Sequence, residues 1–467
     1  VSVVAPSIAE DRAAIGDLLR RASKHEQAAR LDEAEALVDR ILAGVPDHPD
    51  ALQLKGVVAF RKGRPDEALR LMERSIAIGP AKPYYFRNLC ELYRSLGRYD
   101  EALAAGHRAV AGNEFDQYSH SNLAVLHYAR GEPVEAIAAA ERALALDPSL
   151  PGAHFGLAEA LLLCGDFARG WEEYEWRFRL PGVPMLMPKT GLPQWDGAML
   201  PEGRLLLIAD QGFGDGIQFA RYIPWAAARC GELVVACSKE LQPLISQLPG
   251  IATIFDNWER CPPAVAYCPL SGLPRLHRTT LATIPASTPY LRADPAKAAA
   301  WAARVGRLTA AGHRRIGLAW AGRPSHSNDR NRSLPLRSLA PIADLAGITL
   351  IALQTGAART QVGSYFGRAP LINLGAEITD FGDTMAIIEG LDLVVTVDTA
   401  VAHLAGAMGK PVWIMLPFAP DWRWLQDCDD SPWYPTARLF RQAAPRRWDG
   451  VAVAIAAEIR RLGLADG

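Results

Sequence analysis

The sequence predicts an all-α helical-repeat solenoid followed by a pair of α/β halves with parallel sheets. Three observations carry that reading. A glycine recurs every 34 residues through the first third of the chain, a proline-rich break follows Leu180, and short apolar strands alternating with helices fill the rest. The 467 residues exceed one ordinary core, and 49% apolar with 22% charged residues is the balance of a globular protein.

The glycine ruler is Gly63, Gly97, Gly131 and Gly165. The same step carries Pro46 to Pro80 and, two steps on, to Pro148, and it aligns DEAL at Asp66 with DEAL at Asp100 and VEAI at Val134. Each unit reads as helix, glycine turn, helix and proline-marked exit, with small residues Gly56, Cys90, Ala124 and Ala158 where paired helices approach. Ala29 stands where the first turn glycine is expected, and the last unit ends in GWEEYEWRFRL, so both ends suit capping units. From about residue 13 to about 180 the pattern resembles the tetratricopeptide repeat family, and the solenoid is placed at 1–180. Stacked helix pairs form a concave face suited to extended peptide or protein. The other reading of the array is a prop for the α/β halves.

From Pro181 the text PGVPMLMPKTGLPQWDGAMLPEGR excludes a long helix or a central strand, and 181–202 is read as a junction. A junction of this composition is either a flexible linker or, as Trp171, Trp176 and Trp195 around it suggest, an aromatic joint holding the solenoid rigidly to the next domain.

The first α/β half, 203–295, opens with the strand RLLLIA, a helix through IQFARYIPWAAAR and the strand ELVVACS. The second, 296–467, runs through RRIGLAWAG, ITLIALQ, the helix FGDTMAIIEG, DLVVTV, the helix TAVAHLAGAMG and PVWIMLP. The stretch between Leu270 and His313 reads as the crossing between halves, and the last helix is a candidate to cross back. Open α/β sheets bind ligands beyond the carboxyl ends of their strands.

Bulk charge narrows the partners. A formal net charge of −1 offers no general attraction to polyanions, so nucleic acid is not expected. No apolar run approaches the roughly 18 residues that span a bilayer, and the start lacks a signal-peptide pattern. A cytoplasmic protein without a transmembrane segment is the expectation. The seven cysteines show no C-x-x-C spacing and read as reduced packing residues.

Three stretches carry chemistry. In DQGFGDGIQFARYIP the glycines Gly212, Gly214 and Gly216 form a turn into a helix, but the following strand ends at Ser238 instead of an acid, so a dinucleotide fingerprint is weak. Asp215 there is either a capping acid at the positive end of the helix or a chemical group. VDTAVAHLAG places Asp398, Thr399 and Ala400 at a strand-to-helix turn whose free amides can hold a phosphate, with His403 one turn on, a ligand contact or a packed core residue. GRPSHSNDRNRSLP gathers Arg323, Arg330 and Arg332 with Asn328 and Asn331 in a polar loop; guanidinium groups suit a diphosphate, and the other reading of these charges is a solvated surface.

With WAGRPSHSNDRNRSLPL, VDTAVAHLAGAMGKPVWIMLPFAPDWRW and DSPWYPTARLFRQ, these stretches resemble bacterial tetratricopeptide-repeat glycosyltransferases. Their C-terminal region is similar to the heptosyltransferase-like (family 9-like) enzymes of GT-B fold, and the layout is similar to protein O-GlcNAc transferase. The resemblance implies a GT-B pair of Rossmann-like domains moving a sugar from a nucleotide-sugar donor to a hydroxyl by an inverting, metal-independent route with no cofactor. It implies Asp215 as the general base, on an acceptor-side loop with Gln211, Gly214, Gly216 and Gln218. On the donor side it implies Arg332, with Arg330 as second choice, beside Asn331, Asp398, Thr399, Ala400 and His403. Trp320 and Gln354 fall where base or ribose would lie. A protein acceptor docked on the repeats is the partner expected, with flagellin or another surface protein as candidates. A non-catalytic nucleotide-sugar-binding scaffold and an enzyme acting on a lipid-linked glycan are the alternatives. Asp380 and Asp383 read as a helix cap, and Asp427, Asp429 and Asp430 as a solvated loop.

Overall fold

The computed structural model describes residues 12–180, 191–326 and 328–465, so the first part of the proline-rich junction, 181–190, lies outside the described residues. The chain divides into two compact units, Val1–Ala160 and Leu161–Gly467.

The described residues of the first unit form helices joined by short turns: α1 (Arg12–Gln27), α2 (Leu31–Gly44), α3 (Pro49–Arg61), α4 (Pro65–Ile78), α5 (Pro83–Leu96), α6 (Tyr99–Gly112), α7 (Gln117–Ala129) and α8 (Pro133–Leu146). The next helix, α9 (Pro151–Leu163), runs through the division. Proline opens α3, α4, α5 and α8, where its missing N–H costs nothing. The ruler glycines Gly63, Gly97, Gly131 and Gly165 have φ of 77, 77, 71 and 82°, the left-handed turn that favours glycine, and Ala29 adopts the same turn at φ 57°. The alanines of DEAL and VEAI, Ala68, Ala102 and Ala136, are buried between helices. Gly56 is small because a Cβ there would lie 2.7 Å from Met72 Cγ.

The second unit begins with α10 (Phe167–Tyr174), whose Phe167, Trp171 and Tyr174 are buried. Trp171 donates its indole N–H to the Thr279 carbonyl at 3.1 Å and stands edge-on to Trp422, ring centroids 5.2 Å apart. Phe167 stacks on Trp433 at 5.9 Å. This aromatic contact with the far end of the chain is the reason the compact unit starts ahead of the prolines. Trp195 packs beside Trp225 at 5.6 Å.

A four-stranded parallel sheet follows, built from β1 (Leu200–Ile208), β2 (Cys230–Ala236), β3 (Ile251–Phe255) and β4 (Ala266–Pro269) in the order β3-β2-β1-β4. The six-stranded parallel sheet contains β5 (Arg314–Ala319), β6 (Ile348–Ala352), β7 (Leu371–Asn373), β8 (Leu393–Val397), β9 (Val412–Leu416) and β10 (Ala437–Arg441) in the order β10-β9-β8-β5-β6-β7. Counted from its own first strand, that order is 3-2-1-4-5-6 when read from the β7 edge, the doubly wound arrangement whose chain reverses direction between β5 and β8. Continuous burial along β6, β8 and β9 fits a sheet covered on both faces.

Local differences from the sequence reading have plain causes. The helix expected through IQFARYIPWAAAR is split into α11 (Phe213–Phe219), a 3₁₀ turn at Ala220–Tyr222 and a short helix Ile223–Ala227, because Pro224 cannot donate to a continuing helix. The crossing segment carries its own helix, Pro295–Gly306. The last helix, Asp449–Arg461, does not cross back: Val451, Ile455 and Ile459 join the core of the six-stranded sheet with Ile342 and Trp413.

A buried cation of the first half ties the two sheets. Arg221 is buried, and donates to the carbonyls of Gln218 at 2.9 Å and Trp433 at 2.9 Å. Its guanidinium also lies over the Tyr290, Trp433 and Tyr434 rings at 5.1, 5.3 and 4.8 Å. Among the described residues no helix is long and apolar enough to cross a membrane.

Candidate functional site

The strand-order reversal of the six-stranded sheet puts a crevice beyond β5 and β8. At the end of β8 Thr399 is the N-cap of the helix Ala400–Ala407, extended at φ −146° and ψ 175°, with no side-chain cap. Its hydroxyl lies 3.3 Å from that of Thr396, and the first amides of the helix face the crevice end of the strand as an anion-binding start. Asp398 is buried beside them. Burial, then the nearby charge of Asp421, pushes its carboxyl up to about 6 against the opposing pull of Arg332 and Arg423.

His403 lies on the same helix and is buried, with Nδ1 2.9 Å from the Tyr434 hydroxyl and its ring stacked on Trp424 at 5.3 Å. Burial first, and the charges of Arg423, Arg221 and Arg332 next, hold it well below the ordinary histidine range, so it is a neutral imidazole at pH 7. Its Nε2 lies 3.9 Å from Asp398 Oδ1.

The loop after β5 brings Arg332 to the same place. Its charge acts on both Asp398 and His403, its Nε lies 3.6 Å from Asp329 Oδ1, and that buried Nε has no hydrogen-bond partner among the described residues. Gly322 makes room for it, because a Cβ there would lie 2.7 Å from Arg332 Nη2. Asn331 donates to Asn328 at 2.6 Å and shapes the loop, while Arg330 is exposed. Trp320 is fully buried within the core of the sheet. Gln354 spends its amide on the backbone: Oε1 accepts from Trp320 and Ala321 at 2.9 Å each, and Nε2 donates to the carbonyls of Ala321 and Thr355 at 3.0 Å each. The two residues fix the ends of β5 and β6, and any nucleotide contact from the Gln354 amide would have to displace one of those bonds.

The glycine turn of the other half faces this wall. Gly212 caps α11, and Asp215 Oδ2 accepts the Gly212 N–H at 3.0 Å, so the capping reading of Asp215 holds. The carboxylate is a quarter exposed. Gly214 lies directly on His403: a Cβ on it would stand 2.8 Å from His403 Cδ2 and 3.7 Å from the Cα of Ala400. Gly216 lacks room for another reason, since its Cβ would meet Leu241 Cδ1 at 2.7 Å. Gln211, in the amide orientation that satisfies its neighbours, donates to Asp215 Oδ1 at 3.2 Å and accepts from Arg177 Nε at 3.1 Å. Gly214 thus seats the turn against the helix start at a distance no larger residue would allow.

Residues that the sequence reading did not single out complete the arrangement. Arg423, buried in the loop after β9, donates to Asp215 Oδ1, to Gln218 Oε1 and, at 2.8 Å, to Asp421 Oδ1, with its guanidinium 4.1 Å above the Trp422 ring. Burial opposes its charge, but Asp421 and Asp215 outweigh that and hold it well above the ordinary arginine range. Gln218 is itself buried. At the end of β1 Asp210 is buried, which raises its carboxyl; it accepts from the Ser271 amide at 3.1 Å and from the Ser271 hydroxyl, which in turn accepts from Arg177. Only the stretch PDWRW taken whole could have flagged Arg423, because nothing in its spacing tells which half it reaches. Asp380 and Asp383 do cap the helix Phe381–Glu389, Asp380 accepting the Asp383 N–H at 2.8 Å, and Asp427, Asp429 and Asp430 are exposed. Among the described residues no group of three or more His, Cys, Asp or Glu side chains is placed to hold a metal ion.

Comparison with known proteins agrees with the layout. Tetratricopeptide repeat profiles match residues 14–83, 89–151 and 151–170, and the glycosyltransferase family 9 (heptosyltransferase) profile matches residues 368–415. That segment contains the Asp398–Thr399 turn and His403. Protein FlbA of Caulobacter vibrioides (strain ATCC 19089 / CIP 103742 / CB 15) is 28% identical over 342 residues, 66% of this chain and 54% of that protein, so the chain spans about half the length of the curated relative it matches. Among solved structures, PilF of Pseudomonas aeruginosa is 17% identical, covering 35% of this chain and 75% of its own at a TM-score of 0.33. A thermophilic TPR protein of Thermus thermophilus is 23% identical, covering 36% and 93%, also at 0.33. The chain combines tetratricopeptide repeats, which imply protein interactions, with a glycosyltransferase family 9 region, and its two parallel sheets are GT-B-like.

Proposed function

We propose that the protein transfers a sugar from a nucleotide-sugar donor to a hydroxyl of a protein held by its repeats, with inversion at the sugar and without a metal. The observation that carries this reading is the contact of Gly214 with His403, which sets the Asp215 turn of one half against the Thr399 helix start of the other. Asp215 takes the proton of the acceptor hydroxyl as the new oxygen–carbon bond forms, and the sugar–phosphate bond breaks with its electron pair leaving on the nucleoside diphosphate. Arg332, supported by Arg330 and Asn331, and the amides at Thr399 and Ala400 spread the charge of the leaving group, with Asp398 and His403 shaping that turn. Trp320 and Gln354 hold the strand ends beside the nucleotide, and Gln211, Gly214, Gly216 and Gln218 form the acceptor-side loop. The same proposal divides the chain into a solenoid at 1–180, a junction at 181–202, an acceptor half at 203–295 and a donor half at 296–467, and places the protein in the cytoplasm.

A second reading, a nucleotide-sugar-binding scaffold, draws on the engagement of both Asp215 oxygens by Gly212 and Arg423. One experiment separates the two. Nucleoside diphosphates and nucleotide sugars are screened by thermal shift, since tight ligands raise Tm by mass action, and the best donor is used to compare wild type with Asp215→Asn. Donor affinity nearly unchanged with turnover reduced at least about 10²-fold supports the base, and unchanged turnover removes Asp215 from the mechanism.

A further inference from the structure

We infer that Arg423 is a positioning residue for the transfer, holding the Asp215 carboxylate across the cleft so that one lone pair of Oδ2 is presented to the acceptor hydroxyl. The inference rests on the proposed role of Asp215 as base and adds what aims it. A carboxylate has about four lone-pair directions. On Asp215, Oδ1 is taken by Arg423 Nη2 and Gln211, and Oδ2 by the Gly212 N–H, so one direction on Oδ2 is left.

Arg423 is itself fixed before any ligand arrives. Asp421 accepts from its Nη1 at 2.8 Å and from its backbone N–H at 3.0 Å, Gln218 accepts from Nε, and the guanidinium carbon lies 4.1 Å from the centre of the Trp422 ring. Trp422 is locked in turn, edge-on to Trp171 at 5.2 Å, to Tyr174 at 6.0 Å by centroid, and against Trp433 at 6.0 Å. Of the three side-chain partners of Arg423, Gln218 is fully buried and Asp421 belongs to the same loop, which leaves Asp215 as the partly exposed group of the opposite half. A planar fork held at two of its three nitrogens and across one face fixes the direction of whatever it holds at the third, and such positioning converts to rate because a small misplacement of a reacting group is costly.

The test is a double-mutant cycle on the full chain, reading release of nucleoside diphosphate from the UDP-, GDP-, ADP- or dTDP-sugar that gives the largest thermal shift. Arg423→Met is expected to lower kcat by about 10²-fold while leaving the donor KM within about 3-fold, and Arg423→Lys to recover part of the loss. In an Asp215→Asn background the same Arg423→Met change should cost nothing further, because its effect passes through that carboxylate. A kcat for Arg423→Met equal to wild type, or a loss that returns in full on Asp215→Asn, overturns the inference. If Asp215→Asn alone turns over like wild type, the base assignment fails instead, and that is read first. Should Arg423→Met not fold by circular dichroism, Arg423→Lys carries the same cycle with the same criteria.

Discussion

Gly214 and His403 meet across the two sheets with no space for a methyl group, the hypothetical Cβ standing 2.8 Å from the imidazole Cδ2. His403 cannot retreat, because it is stacked on Trp424 and bonded to the Tyr434 hydroxyl at 2.9 Å. Gly214→Ala should therefore push α11 and the helix Ala400–Ala407 apart. The expected result is a stability loss of about 1–3 kcal/mol, the scale of overpacking a tight core, together with reduced turnover. Urea unfolding and the donor assay check it; a variant as stable and as active as wild type would show that the two helices are not held at this distance.

How far the unit can be trimmed depends on α10. Phe167, Trp171 and Tyr174 are buried against Trp422 and Trp433, and losing a buried Phe or Trp costs about 3–5 kcal/mol each, against a whole-domain stability of about 5–15 kcal/mol. A chain starting at residue 181 should fail to melt cooperatively, whereas one starting at Pro151 should keep a cooperative transition and its near-UV aromatic signal. Scanning calorimetry on both truncations decides, and cooperative melting of the shorter one would contradict the role given to α10.

Asp398 makes the unit sensitive to pH. Its carboxyl rises from 3.8 to about 6 through burial and the charge of Asp421, against Arg332 and Arg423, so the folded protein binds the proton more tightly than the unfolded chain. The stability this group contributes is therefore present below about 3.8 and lost as pH rises through about 6. Asp398→Asn, which keeps the neutral form, should gain on wild type by up to roughly 3 kcal/mol at pH 7 and by almost nothing near pH 4. Urea midpoints measured across that range test the sign; a gain that grows toward acid would reverse the assignment.

Much of this architecture is legible in the sequence, because its signals are local. A left-handed turn every 34 residues selects glycine, and a strand running into a helix start is visible in VDTA and GFGDG. The residues that escaped are those defined by contact. Arg423 lies 208 positions from Asp215, with no periodicity to connect them, and its neighbours Asp421 and Trp422 look like any surface loop in text. The assignment of Gln354 to a ligand followed from its place at a strand end, a correct place, but the four backbone bonds its amide makes depend on how β5 and β6 pair. The change in composition at Pro181 is likewise a property of neighbours in sequence, whereas α10 finds its aromatic partners Trp422 and Trp433 near the far end of the chain.

Arg221 gives the joined sheets a mechanical character. To part them, Trp433 would have to withdraw its carbonyl and its ring, and Tyr434 its ring, from a buried guanidinium that would keep only its partners on the other side, the Gln218 and Pro285 carbonyls and Tyr290. Separating the sheets therefore means uncovering a cation that the closed seam keeps from water, so the seam is built as a rivet more than a jaw.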